Sequence, residues 1–273
     1  MSLLRQQPLA VQINRENCLV LQLSRRGRHF VVEHFSQQHH SSLTGKGLKP
    51  DSIVSALDYS ATHYQKIPLD NNQQVEEQLL EKLPPQLKRN TGISYDYCTH
   101  NHGQEAEAVI GQRSALEELL VLLAPLKMPV QVVEPVYQSV VRAANAVLPY
   151  LWPDNTKFET DMAWIVVDLR QQQSILLYCK NGVFQRLDSV DTNNLVGFLL
   201  KAQLSHQFNW VMSFGDKAIQ SQLERQLSNQ QLKHLTLSTA PFFQNNVAPI
   251  VSALDNELVL LGLALRGFSQ WHR

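Results

Sequence analysis

The chain of 273 residues is 44% apolar and 18% charged, which is typical of a folded globular protein with one large domain or two to three subdomains. Lys and Arg together number 24, as do Asp and Glu, so no basic surface indicates a nucleic-acid ligand. The longest apolar run, residues 258–265, is far shorter than the roughly 20 residues of a membrane-spanning helix, and the amino terminus lacks the apolar core of a signal peptide.

Three cysteines, Cys18, Cys98 and Cys179, lie far apart in strand-like segments, and none forms a Cys-x-x-Cys pair. An odd and dispersed set of cysteines is typical of reduced thiols in a reducing compartment. We therefore expect a cytoplasmic protein without a disulfide framework.

The first 150 residues predict antiparallel strands followed by alternating helices and strands. Residues 10–35 contain two strand-like stretches joined by a turn at residues 25–28. Ser114 and Glu117 have the spacing of a capping box at the start of a helix. The elements predicted after residue 35 are, in order, one or two strands at 52–69, a helix at 75–83, strands at 93–100 and 106–111, a helix at 114–126, a strand at 129–135 and a helix at 136–151.

The composition changes at residues 149–161, which are rich in Pro, Asn, Asp and Thr. We interpret residues 151–160 as a linker between a first half, residues 1–150, and a second half, residues 161–273. The pattern then restarts, with strands at 163–168, 174–179 and 183–187, a helix at 192–206, a strand at 209–214, a helix at 217–229, a strand at 232–238 and a helix at 256–268. Asn181-Gly182 predicts a type I′ turn. The two halves together predict an α/β fold with a partial internal duplication.

Four segments of the sequence carry a resemblance to a known superfamily: residues 10–24, 107–143, 162–190 and 253–267. In order and shape they resemble the actin-like ATPases (actin, sugar kinases, FtsA). Within that superfamily they resemble the PilM family of type IV pilus and DNA-uptake systems, including its HofM and competence ComA variants. The resemblance implies a duplicated actin-like (ribonuclease H-like) fold. It also implies that residues 53–132 form an α+β subdomain inserted into the first half.

The resemblance implies a nucleotide site between the halves, where two hairpins hold phosphates through backbone N–H groups. The first hairpin of the superfamily follows the pattern Asp-Ile-Gly-x-x-x-x-Lys. Gln12 stands at the aspartate of this pattern, Asn14 at the glycine and Leu19 at the lysine. These differences remove a carboxylate, a glycine and a cation. The glycine matters because any side chain at its position obstructs the close approach of phosphate to the backbone.

The second hairpin keeps more of the pattern Asp-Ile-Gly-x-x-x-Thr. Asp168 and Ser174 match it, whereas Arg170 stands at the glycine. The glycine-rich adenosine turn of the superfamily is reduced to the single Gly215. We therefore interpret Asp168, Ser174 and Gly215 as a vestigial nucleotide site. Asp168 is either a ligand of Mg²⁺ or phosphate or, as we favour, a strand-end residue that caps a turn. Neither ATP nor Mg²⁺ is a firm expectation.

The other polar clusters of the sequence do not predict a metal, phosphate or catalytic site. His39-His40, with His34 upstream, lacks cysteine or carboxylate ligands at suitable spacing, and we interpret it as a surface loop. The segment around His100, residues 100–103, favours a turn. Gly45-Lys46-Gly47 lacks the strand and the Ser or Thr of a P-loop. We predict no metal ligands and no catalytic residues.

Two functions follow from the resemblance. The favoured one is a cytoplasmic adaptor without enzyme activity, which binds the amino-terminal cytoplasmic tail of a PilN-like inner-membrane protein and so reaches the inner face of that membrane. The tail would lie in a groove between the first actin-like subdomain and the insertion, because a sheet edge can pair with an added strand. The alternative is an active ATPase or small-molecule kinase. A third possibility is the cytoplasmic part of a GspL-type secretion protein, which normally continues into a transmembrane helix. Self-association is left open.

Overall fold

The computed structural model describes residues 8–14, 17–26, 29–45, 50–70, 73–83, 85–88, 92–100, 104–151, 162–230, 232–243, 248–266 and 268. The predicted linker beyond Leu151, most of the Gly45–Gly47 segment and residues 101–103 lie outside this set. Among the described residues, no helix has both the length and the apolar character needed to cross a membrane.

The first sheet has five strands in the order β3-β2-β1-β4-β8. Three of them form an antiparallel meander, and two further strands continue the sheet in parallel with the first. The strands are β1 (Leu9–Ile13), β2 (Asn17–Arg26), β3 (His29–His39), β4 (Ile53–Leu57) and β8 (Val130–Pro135). The outer face of this sheet packs on α3 (Arg113–Leu123) through a buried apolar cluster that includes Val11, Val20 and Leu119.

A separate three-stranded antiparallel sheet has the order β5-β7-β6. Its strands are β5 (Thr62–Pro68), β6 (Ile93–His100) and β7 (Glu105–Gln112), and its helices are α1 (Val75–Lys82) and α2 (Pro85–Lys88). Alternate residues of the strands, among them Ala106, Ala108 and Ile110, pack on Leu79 and Leu83 and form a core of their own. One face of this sheet is therefore apolar and covered, and the other carries the intervening residues.

The second five-stranded sheet, β11-β10-β9-β12-β13, repeats the topology of the first. An antiparallel meander is again followed by two parallel strands. The strands are β9 (Ala163–Leu169), β10 (Gln173–Lys180), β11 (Val183–Asp191), β12 (Trp210–Gly215) and β13 (Lys233–Thr236), and α5 (Leu195–His206) and α6 (Lys217–Leu227) cover one face. Asn181 (φ 55°) and Gly182 (φ 73°) both have positive φ, as a type I′ turn requires.

Two helices from distant parts of the chain pack together in the central core. These are α4 (Val136–Leu151) and α8 (Leu258–Arg266), and α8 also contacts β1, β2 and β4 of the first sheet. The two backbones approach closely at Gly262, where an added Cβ would lie 1.9 Å from the backbone oxygen of Ser139. The carboxyl-terminal helix thus packs against elements of the first half, although it follows the second in sequence.

The observed elements agree with the predicted α/β duplication and differ from the sequence analysis in detail. The segment that leaves the first sheet is narrower than the predicted insertion at residues 53–132, because β4 and β8 pair within that sheet. The predicted capping box was wrong, since α3 begins at Arg113 after Gln112, whose side chain makes no capping hydrogen bond. The predicted closing helix is interrupted at Glu257, between α7 (Ala248–Asn256) and α8.

Candidate functional site

A cleft of about 870 Å³ opens where four strands of the two large sheets end. β1, β4, β9 and β12 all direct their carboxyl ends toward it, and this is the edge at which open α/β sheets generally bind ligands. The cleft is lined by Gln12, Ile13, Asn14, Ala56, Asp58, Ser60, Val136, Asp168, Leu169, Arg170, Gly215, Asp216, Lys217, Ala218, Asn256, Glu257 and Val259. Two of the three predicted site residues, Asp168 and Gly215, therefore line one cleft.

Asp168 is held by the arginine two residues further along the chain. Nε and Nη2 of Arg170 donate hydrogen bonds of 3.1 and 2.9 Å to Oδ2 of Asp168, whose side chain is only 8% exposed. Burial raises the pKa of the Asp168 carboxyl, and the positive charge of Arg170 opposes this effect. The carboxylate that would face a metal ion or a phosphate in an intact site is thus paired within its own hairpin.

Arg170 also reaches across the cleft to the loop after β4. Its Nη1 lies 3.7 Å from Oδ2 of Asp58, and its guanidinium carbon lies 5.2 Å from the ring centre of Tyr59. The side chain of Asp58 in turn accepts a hydrogen bond of 3.0 Å from the backbone N–H of Ser60. This bond caps the short 3₁₀ helix Tyr59–Ala61. The residue at the phosphate-binding glycine position therefore links the two large sheets by charge and by a cation–π contact.

A second link joins the first hairpin to the break between α7 and α8. Nε2 of Gln12 donates a 2.7 Å hydrogen bond to Oε2 of Glu257, and Nδ2 of Asn14 donates a 3.0 Å bond to Oε1 of the same carboxylate. Burial raises the pKa of Glu257, and the hydrogen bond from Gln12 opposes the rise. Gln12 and Asn14, which stand at the aspartate and the glycine of the hairpin pattern, therefore both bind the carboxylate of Glu257.

Gly215 has a packing role at the end of β12. It has φ 103°, and an added Cβ would lie 2.5 Å from the backbone oxygen of Leu169 on the neighbouring strand. Asp216, the next residue, caps α6 by accepting hydrogen bonds from the N–H groups of Ala218 (2.9 Å) and Ile219 (3.2 Å). The contact of Gly215 with Leu169 requires glycine whether or not a ligand binds.

Ser174, the third predicted site residue, lies outside the cleft lining. It is fully buried, and its hydroxyl lies 2.9 Å from the hydroxyl of Thr192, which donates a 2.7 Å hydrogen bond to the backbone oxygen of Arg170. This chain of hydrogen bonds fixes the hairpin turn that carries Arg170. The structure therefore places Ser174 behind the site and not in it.

The charges around the cleft do not favour an anion that arrives without a metal ion. Among the described residues that line it, four are carboxylates and two are cations, so carboxylates outnumber cations by two. The carboxylates are Asp58, Asp168, Asp216 and Glu257, and the cations are Arg170 and Lys217. Nζ of Lys217 donates a 2.9 Å hydrogen bond to the hydroxyl of Ser252. An incoming anion would therefore meet a net negative lining whose arginine is already paired.

Three residues that the structure brings together were not predicted from the sequence: two line the cleft, and Tyr59 lies beside it against Arg170. Asp58 and Tyr59 lie in a segment predicted only as one or two strands, and Glu257 lies within the predicted closing helix. The one usable signal was the polar stretch Asp255-Asn256-Glu257 ahead of an apolar helix, which is consistent with a helix end. Its partners on β1 were not readable, because they lie about 245 positions away.

No protein-family model matches the sequence, and no curated protein is similar to it in sequence. Solved structures are similar in fold. A chain of a PilM–PilN type IV pilus biogenesis complex aligns with a TM-score of 0.67 at 13% identity, over 97% of this chain and 100% of that one. A protein of Bacteroides thetaiotaomicron with an actin-like ATPase fold and unknown function aligns with a TM-score of 0.53 at 10% identity, over 94% and 96%. The likeness shows that the chain has the actin-like fold.

Proposed function

We propose that this protein is an adaptor of a type IV pilus or related DNA-uptake machine, which binds the cytoplasmic amino-terminal tail of a PilN-like inner-membrane protein. The observation that carries the proposal is the near-complete mutual coverage, 97% and 100%, with a chain of a PilM–PilN complex. Binding such a tail would recruit the protein to the inner face of the membrane.

The three-stranded sheet supports this proposal because it offers strand edges to an extended peptide. Among the described residues, β5 and β6 are its outer strands, and each is paired on one side only. A peptide that adds a strand to such an edge satisfies backbone donors and acceptors, while its alternate side chains enter neighbouring pockets. The proposed groove lies between this sheet and the first five-stranded sheet.

A synthetic peptide of the PilN-like tail is expected to bind the purified protein saturably in calorimetry. Binding should slow backbone hydrogen exchange in residues 53–112, where β4 to β7 lie, and leave α6 unchanged. A scrambled peptide of the same composition is the control for charge and hydrophobicity. Absence of binding at high micromolar peptide, with the protein folded by circular dichroism, would contradict the adaptor proposal.

The adaptor proposal includes a nucleotide cleft that no longer works as an ATPase site. Two features support this part: Arg170 occupies the carboxylate of Asp168, and Gln12 and Asn14 are bound to Glu257. Phosphate binding would have to break the contact of Arg170 between the sheets and the hydrogen bonds of the first hairpin with Glu257. Such a cleft holds the two large sheets together.

Titration with Mg-ATP is therefore expected to give no saturable heat in calorimetry and no rise in melting temperature, since a ligand that binds the native state stabilises it. The Asp168→Ala variant serves as the matched control for any signal. Saturable binding to the unmodified protein that Asp168→Ala abolishes would contradict the degenerate site and favour the ATPase or kinase alternative. That outcome would leave the peptide experiment to decide the adaptor role separately.

A further inference from the structure

The face of the three-stranded sheet that points away from α1 carries a cluster of three metal-ligand side chains. Cys98 and His100 are two residues apart on β6, so their side chains lie on the same face. Glu107 on β7 is the register partner of Cys98 and the diagonal neighbour of His100. This face is opposite to the one that packs on α1, where Ala106 and Ala108 are buried.

The ligand atoms of the three residues lie close to one another. Sγ of Cys98 lies 3.1 Å from Nε2 of His100, and the same Nε2 lies 3.3 Å from Oε2 of Glu107. One ligand atom from each residue lies within 4.8 Å of the other two. A tetrahedral zinc ion bound by sulfur, nitrogen and oxygen at ordinary bond lengths separates its ligand atoms by about 3.4 to 3.6 Å. The Nε2–Oε2 separation is close to these values, the Sγ–Nε2 separation is about half an ångström shorter, and small side-chain rotations would bring all three atoms to a zinc ion.

The geometry is different from that of a catalytic cysteine with its base. In such a triad the thiol contacts one ring nitrogen of histidine, and the carboxylate orients the ring through the other nitrogen. Here Cys98 and Glu107 both approach Nε2 of His100. One nitrogen cannot accept the proton of the thiol while it donates to the carboxylate, whereas a metal ion placed between the three atoms satisfies all of them.

We propose that Cys98, His100 and Glu107 form a zinc site on the face of the three-stranded sheet that points away from α1. The set of thiolate, imidazole and carboxylate suits Zn²⁺ better than Mg²⁺ or Ca²⁺, which prefer oxygen ligands. Three protein ligands leave the fourth tetrahedral position to water, and all three residues are exposed or half-buried, so the site is open to solvent. The bound ion ties the outer strand β6 to the central strand β7. This inference is independent of the proposed adaptor function.

The neighbouring groups set the pH dependence of the site. Nζ of Lys66 lies 3.0 Å from Oε2 of Glu105 and 3.8 Å from Oε1 of Glu107. A zinc ion therefore competes with this ammonium group for the carboxylate of Glu107. Since zinc binds the thiolate, binding has to release a proton, and the affinity increases as pH rises through the neutral range.

The test uses the full chain, after dialysis against a chelator, titrated with ZnCl₂ and separately with CoCl₂. One equivalent of Zn²⁺ is expected to bind, and Co²⁺ should give the near-ultraviolet absorption of a cobalt–thiolate bond. Cys98→Ser should remove that absorption and lower the zinc affinity by a factor of at least about 10 to 100, the loss seen when even a ligand's supporting residue is altered. Glu107→Gln should lower the affinity while keeping the absorption.

The matched control is His39→Ala, which removes an exposed histidine elsewhere on the surface and should leave both signals unchanged. Circular dichroism of each variant confirms folding, which we expect because Cys98 is exposed. The proposal is overturned if Co²⁺ gives no thiolate absorption with the unmodified chain. It is equally overturned if Cys98→Ser binds Zn²⁺ as tightly as the unmodified chain does.

Discussion

Replacing Gly262 by alanine is expected to lower the free energy of unfolding by about 3 kcal/mol or more. An added Cβ would lie 1.9 Å from the backbone oxygen of Ser139 and 2.5 Å from its carbonyl carbon. Both atoms are backbone atoms of α4, so no side-chain rotation relieves the clash. The two central helices would have to move apart, and the contacts of α8 with β1, β2 and β4 would move with them.

Gly197→Ala is the matched control for this change. Gly197 is also a helical glycine, in α5, but no atom lies within 4 Å of the position that its Cβ would take. Because alanine favours the helix more than glycine does, this variant should keep or raise the stability by up to about 1 kcal/mol. Urea unfolding followed by circular dichroism measures both. Equal midpoints for Gly262→Ala and the unmodified protein would contradict the close helix packing.

The second large effect is expected at Glu134, a buried carboxylate between the same two helices. Its side chain is 2% exposed and makes bidentate contacts with Arg142 at 2.6 and 3.0 Å. It also accepts hydrogen bonds from Arg266 of α8 and from the hydroxyl of Ser139. Nη1 of Arg142 further donates a 2.9 Å bond to the backbone oxygen of Gly262, so one network spans the place where the helices approach.

Glu134→Gln should cost about 3 to 5 kcal/mol, because it removes the charge that two partly buried guanidinium groups share while keeping the shape of the side chain. Glu81→Gln, on the exposed face of α1, is the control and should change the stability by less than about 0.5 kcal/mol. Chemical denaturation of both variants gives the comparison. A cost at Glu134 as small as that at Glu81 would mean that the network contributes little to stability.

The Gly262→Ala and Glu134→Gln variants both alter the contact between α4 and α8, and the proposed function depends on this contact. The helices α4 and α8 hold the core between the sheets, Arg170 links the sheets across the cleft, and Glu257 links the first hairpin to the break between α7 and α8. In the proposed function, these contacts across the cleft hold fixed the surface that the protein presents to its partner.

Sequence periodicity determined the element order of this protein. Alternating apolar residues predicted the strands, the Asn181-Gly182 pair predicted the turn that its positive φ angles confirm, and the restart after residue 161 predicted the duplicated sheet. These signals are local, because each depends on neighbours within a few positions. The loss of glycine at Arg170 was equally visible, since it is a change of residue type at one position.

Only the tertiary structure decided what the polar residues do. Gln12 meets Glu257 from 245 positions away, Arg170 meets Asp58 across the cleft, and Cys98 meets Glu107 only through the register of β6 and β7. The His100 segment favoured a turn in sequence, and the cluster appeared only when the strands were paired. Side-chain partners depend on how sheets and helices pack at long range, which residue spacing along the chain does not encode. The elements and two cleft residues, Asp168 and Gly215, were therefore predictable, and the partners of the polar side chains were not.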